Sequence, residues 1–293
     1  MLLLFLSAFL ARGGQPPATA GLLAGEIEAP GGAKLPYLVY VPRDYDAARR
    51  WPLVLFLHGQ GESGTDGWRQ LLQGLPPALF AAPERWPAIV LLPQKPDSDR
   101  EWESYEKALL ALVDRARRTW AIDPERVILT GLSQGGHGSW VLGARHPDVW
   151  AAVGPVCGYA AARRRDAAGR IPADAFGGTA ADLAKPLAST PVWAFHGAID
   201  DVVPVAETEA MIAALRAAGG TPRVTIVPKV GHGVWSRAYE DPEFAAWLIA
   251  QRRSVRRPKS REPRPLSLLG QPRSGRRGNR RGPLTDAERR RRR

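Results

Sequence analysis

Three side chains far apart in the chain have the makings of a nucleophilic relay: Ser133, Asp200 and His232. Ser133 is the centre of Gly131-Leu132-Ser133-Gln134-Gly135, a G-x-S-x-G. A serine hydroxyl attacks poorly at neutral pH unless a base takes its proton and an acid fixes that base's tautomer. His232, between Gly231 and Gly233, has the freedom to turn toward a substrate and act as the base. Asp200 is the acid the spacing favours. Asp201 competes with it, because one of the pair could orient the histidine while the other caps the helix expected to follow. The developing oxyanion needs preorganised N–H donors. The backbone N–H of Gln134, just after the nucleophile, is one candidate, and that of Gln60, in His58-Gly59-Gln60-Gly61, is the other. Trp68, Trp102 and Trp235 fall in or beside the same loops and offer an aromatic wall for an acyl or phenolic group, with plain packing as the competing reading. His58 has no place in the relay and reads as packing under its loop.

These residues need elements that deliver them to one place. Val127-Ile128-Leu129 reads as a buried parallel strand running into the serine turn, with a helix from Gln134. A serine at so tight a strand-to-helix turn is strained, and the flanking glycines admit neighbouring backbone. Leu35–Val41, Leu53–His58, Ile89–Leu92, Ala151–Val156, Val192–Phe195 and Val224–Val227 read as further strands. Glu101–Trp120, Val205–Ala218 and Pro242–Gln251 read as helices, and Asp123-Pro124 as the turn into the Val127 strand. Strands alternating with helices predict an α/β fold, a doubly wound, mostly parallel sheet with helices on both faces. Ligands bind at the carboxyl ends of such strands. Asp200 and His232 each fall just beyond a predicted strand, in the order serine, acid, histidine.

With 293 residues, 44% of them hydrophobic, and ten tryptophans, the chain can bury a substantial core in one domain, expected over residues 21–251. The net charge of +12 is misleading, because residues 252–293 hold 17 Lys/Arg against 3 Asp/Glu and leave the rest at −2. The body therefore has no nucleic-acid footprint. The tail, rich in Arg, Pro, Gly and Ser, reads as disordered and able to hold polyanions by charge alone, without a specific nucleic-acid partner. Cys157 alone excludes an internal disulfide and reads as a buried small hydrophobe. Five histidines without ligand spacing point to no metal, and nothing calls for a cofactor. Residues 1–20 begin with Met1-Leu2-Leu3-Leu4-Phe5-Leu6 and offer Ala18-Thr19-Ala20 as a cleavage site. They read as a signal peptide, although no basic residue precedes the apolar run; export is expected, with a cytoplasmic protein as the alternative. Residues 159–190 interrupt the strand–helix rhythm and read as a lid or a surface insertion.

The motifs L-H-G-Q-G-E-S-G, G-L-S-Q-G-G, H-G-A-I-D-D-V-V-P and V-G-H-G-V-W, in this order, resemble the phospholipase/carboxylesterase branch of the α/β-hydrolase superfamily. The wider run around Ser133 is similar to bacterial esterases related to feruloyl esterases and polyhydroxybutyrate depolymerases. The resemblance spans about Leu35 to Gln251. It implies Ser133 as nucleophile, Asp200 as acid, His232 as base, and the N–H groups of Gln60 and Gln134 as oxyanion donors. It further implies hydrolysis of a small-molecule or polymer-attached carboxylic ester through an acyl-enzyme. A serine peptidase, a lysophospholipase or thioesterase on the same triad, and a non-catalytic binding protein on a hydrolase scaffold are the rivals. The resemblance weakens in the 159–190 segment, which leaves the acyl pocket open.

Overall fold

A strand with no polar face must be covered on both sides, and the Val/Leu/Ile runs are. In this computed structural model, which describes residues 20–160 and 179–253, every residue of β3 and β4 is buried. The expected signal peptide, the tail beyond residue 253 and the middle of the 159–190 segment lie outside the described residues.

Among the described residues eight strands form one sheet: β1 (Gly21–Glu28), β2 (Lys34–Val41), β3 (Trp51–Leu57), β4 (Ile89–Pro93), β5 (Ile122–Leu132), β6 (Ala152–Val156), β7 (Trp193–Gly197) and β8 (Arg223–Val227). Their order across the sheet is β1-β2-β4-β3-β5-β6-β7-β8. β1 and β2 pair antiparallel, as do β2 and β4, and every later pairing is parallel. The parallel portion aims the carboxyl ends of β3 and β5 through β8 to one rim. β1 is an addition to the expected set: its Gly-rich, half-exposed sequence lacks a buried apolar run because an edge hairpin needs only one covered face. β5 starts at Ile122, so Asp123-Pro124 is not the turn expected there. It falls where the register with β3 shifts, Trp51 pairing with Ile122 but Leu53 with Val127.

Among the described residues seven α-helices cover the sheet: α1 (Leu75–Ala81), α2 (Glu106–Thr119), α3 (Gln134–Arg145), α4 (Ala180–Leu187), α5 (Val205–Ala217), α6 (Trp235–Glu240) and α7 (Pro242–Ala250). Alternate residues of the strands feed two separate cores. Leu53, Leu55, Leu129 and Val153 pack under α2, α3, α4 and α5, whereas Val54, Phe56, Ile128 and Ala152 pack under α1, α6 and α7. The sheet is thus doubly wound, as expected. The helix expected from Glu101 begins as a 3-10 turn, Trp102–Tyr105, and becomes α-helical only at Glu106. The end of the 159–190 segment is α4, capped reciprocally by Thr179 and Asp182, with Leu183, Ala184 and Leu187 in the core. It is therefore part of the scaffold. Among the described residues no helix is long and apolar enough to cross a membrane.

Candidate active site

The elbow after β5 places Ser133, the expected nucleophile. Ser133 sits at φ 52°, ψ −115°, in the left-handed half of conformational space that side chains rarely occupy. Packing holds it there: its N–H donates to the Val156 carbonyl at 2.9 Å, and α3 starts at the next residue. A Cβ on Gly131 would lie 2.5 Å from the Gly135 carbonyl oxygen, and one on Gly135 would collide with the Leu57 carbonyl. The two glycines let the first turn of α3 press against the end of β3. Ser133 is left half-buried, at the rim.

The loop beyond β7 carries Asp200, the expected acid, and the loop beyond β8 carries His232, the expected base. Asp200 is buried, and its Oδ1 accepts the N–H groups of Val202 at 3.0 Å and Val203 at 2.8 Å. His232 Nδ1–H donates to the other carboxylate oxygen, Oδ2, at 2.8 Å. Nε2 is then the lone-pair nitrogen, and it lies 2.9 Å from Ser133 Oγ. The ring of Trp235 meets the His232 imidazole edge-on, with centroids 5.4 Å apart. Asp200, not Asp201, meets the histidine; Asp201 is exposed. Neither caps the following helix, whose N-cap is Pro204.

Sequence reasoning passed over His196, at the end of β7. It is fully buried, with Nε2 at 2.9 Å from the Val203 carbonyl and 3.2 Å from Asp200 Oδ2, and Nδ1 at 2.8 Å from Thr208 Oγ. Burial holds its pKa below the ordinary histidine value. Its only advance signal was position, four residues before Asp200.

The loop after β3 passes beside the nucleophile, since a Cβ on Gly59 would stand 3.6 Å from that of Ser133. Gln60 is exposed and opens a 3-10 turn over Gln60–Glu62. Beneath the loop His58 is buried, donating from Nδ1 to Gly59 O at 2.6 Å and accepting the Lys95 N–H at Nε2, 3.1 Å away. Burial pushes its pKa down to about 3. This is the packing place expected of it. Lys95, also missed, grips the loop at two further points: its carbonyl accepts the Gly64 N–H at 2.9 Å and its Nζ donates to Ser63 Oγ at 2.9 Å. Burial lowers the pKa of this ammonium to about 8, against the opposing pull of Glu101, Asp97, Asp99 and Glu62.

The expected aromatic wall needs correction. Trp102 is fully buried, donates its indole N–H to His58 O at 2.9 Å and packs edge-on against the His58 ring. It supports the loop and cannot line a pocket. Trp235 is half-buried beside His232, tied by its indole N–H to Gln73 at 3.0 Å, and Trp68 is 52% exposed.

Among the described residues two groups of side chains have metal-ligand donor types within 4.8 Å of one another: Cys157–Asp200–His232 and Glu101–Glu103–His137. In the first, the His232 and Asp200 atoms are committed to each other, and burial pushes the Cys157 thiol pKa well up, against thiolate formation. In the second, His137 donates from Nδ1 to Tyr159 O at 2.8 Å and faces Glu103 at 3.5 Å. Burial opposes its charge, but the bond to Glu103 and the charges of Glu103 and Glu101 prevail and raise its pKa. The group reads as a buried ion pair bracing the first turn of α3.

The chain is similar to known proteins in sequence and in fold. The model of the prolyl oligopeptidase family matches residues 105–251, half of the chain, from just before α2 to the end of α7. A Methylorubrum extorquens protein named as a carboxymethylenebutenolidase is 34% identical over 125 residues, 42% of this chain and 38% of that one. A solved thermostable esterase superposes with a TM-score of 0.62 at 30% identity, over 79% of this chain and 63% of its own. The chain therefore spans less than two thirds of either relative. A CE1 ferulic acid esterase from Anaeromyces mucronatus shares the fold, with a TM-score of 0.57 at 17% identity over 81% of this chain and 95% of that one. The expected superfamily resemblance holds: the chain is an α/β-hydrolase and belongs to the prolyl oligopeptidase family.

Proposed function

We propose that this protein is a serine carboxylesterase acting on small-molecule or polymer-attached esters through an acyl-enzyme. The observation that carries the reading is the unbroken relay from Asp200 Oδ2 to His232 Nδ1 at 2.8 Å and from His232 Nε2 to Ser133 Oγ at 2.9 Å. Ser133 attacks the ester carbonyl while His232 takes its proton, and Asp200 stabilises the imidazolium. The Gln134 N–H, first in α3, and the Gln60 N–H, on the neighbouring loop, receive the oxyanion; one such donor contributes roughly 2.7–4 kcal/mol. His232 then protonates the leaving alcohol, and water repeats the sequence to release the acid.

The test is a screen of short-chain, feruloyl, acetyl-sugar and phospholipid esters beside Ser133→Ala. The wild type should hydrolyse at least one class and be labelled by a fluorophosphonate. The variant should lose labelling and fall by roughly 10⁶-fold in kcat. A folded wild type that neither labels nor hydrolyses would leave the fold as a binding scaffold. The family match favours one second reading, a peptidase using the same triad; a peptide series in the same screen separates it.

A further inference from the structure

The Asp200 carboxylate serves two histidines. His232 Nδ1 lies 2.8 Å from Oδ2 on the solvent side, and His196 Nε2 lies 3.2 Å from the same oxygen on the buried side. The protonation of His196 can be read from its partners. The Val203 carbonyl can only accept, so Nε2 carries a proton; a neutral ring then leaves Nδ1 as a lone pair for the Thr208 hydroxyl, 2.8 Å away. The Nε2–H is thus shared between the Val203 carbonyl and Asp200 Oδ2. With Oδ1 taking two backbone N–H groups, every face of the carboxylate is held.

We propose that His196 is a positioning residue for the triad: a neutral, tautomer-locked donor that fixes Asp200 and draws off part of the charge His232 would otherwise feel. This rests on the esterase reading and adds a fourth member to its machinery. Its neutrality matters. A charged ring at 3.2 Å would compete with the imidazolium that forms on His232 during attack, whereas a neutral donor orders the carboxylate and draws off only part of its charge. Burial keeps it neutral, as the lowered pKa reflects. The titratable groups gathered around the Asp200 carboxylate are His232, His196 and Cys157, and burial of the Cys157 thiol keeps that neighbour uncharged too.

The arrangement predicts a signature that a merely structural histidine would not give. His196→Phe fills similar space but withdraws the donor, so the carboxylate pulls harder on the His232 imidazolium. The acid limb of the pH–kcat/KM profile should move to higher pH by roughly half to one unit. Activity per active site, counted by fluorophosphonate titration, should fall roughly 10- to 100-fold at constant KM. His196→Gln, whose amide N–H reaches a similar position, should keep the wild-type limb. Thr208→Val, which frees the ring without touching Asp200, should shift the limb the same way by less. A purely structural role would lower the melting temperature and the titratable fraction while leaving the limb and the rate per site unchanged. That result in His196→Phe would overturn the proposal. If His196→Phe does not fold, an unmoved limb in Thr208→Val overturns it instead. Absence of ester hydrolysis by the wild type would be a failure of the esterase reading and is seen before any variant is made.

Discussion

At Asp200 and Asp201, two neighbouring carboxylates of the same chemistry meet different fates. Asp200 is buried and spends one oxygen on the turn and the other on His232; Asp201 points into water. Asp200→Asn should keep the fold and lose roughly 10⁴-fold in kcat, because an amide in that place favours the wrong imidazole tautomer. Asp201→Asn should stay within about twofold of the wild type, as surface changes usually do. Ester hydrolysis by both variants, with melting curves to show that each is folded, checks the pair. Ser133, Asp200 and His232 were legible in the sequence because each stands at a strand end and the strands are plain apolar runs. The sequence favoured Asp200 but kept Asp201 as a competitor, since one residue of register decides which side chain enters the core. His196 gave no signal beyond its place four residues before Asp200, and Lys95 gave none, because burial of a polar side chain is decided by residues far away in the chain.

Among the elements, the elbow and the loop beside it form one joint. Gly135→Ala should be the most damaging single-methyl change there: its Cβ would run into the backbone carbonyls of Leu57 and His58, and backbone yields poorly. We expect loss of fluorophosphonate labelling even in whatever fraction folds. Lys95→Met should be milder. It removes the ammonium that ties Ser63 and leaves the backbone bonds to His58 and Gly64 intact. The loop loosens, and kcat should fall roughly tenfold with KM little changed, a fraction of what losing a whole oxyanion donor costs. The strands that carry the joint were readable as short Val/Leu/Ile runs. α1, with two prolines in its first turn, and the six-residue α6 were not, because neither is long enough to display a period. Trp102 misled for a related reason: a tryptophan next to a site loop reads the same whether it faces the pocket or props the loop from below.

For the molecule as a whole, the two-sided core must accommodate a fully buried ammonium. Lys95 titrates near 8 in the fold and near its ordinary 10.5 when unfolded. Between those values the unfolded chain binds more protons than the native one, so this group makes stability rise with pH across that window. Melting temperatures from pH 7 to 10.5 should show the rise in the wild type relative to Lys95→Met, and parallel curves would refute it. The order of the reactive groups along the polymer has a consequence in time. Ser133 follows β5, whereas His232 follows β8, the last strand along the chain among the described residues. On the ribosome the nascent chain carries an unarmed serine until β8 has docked and the loop behind it has closed. The contact between Ser133 and His232 is thus made only once the sheet is complete through β8.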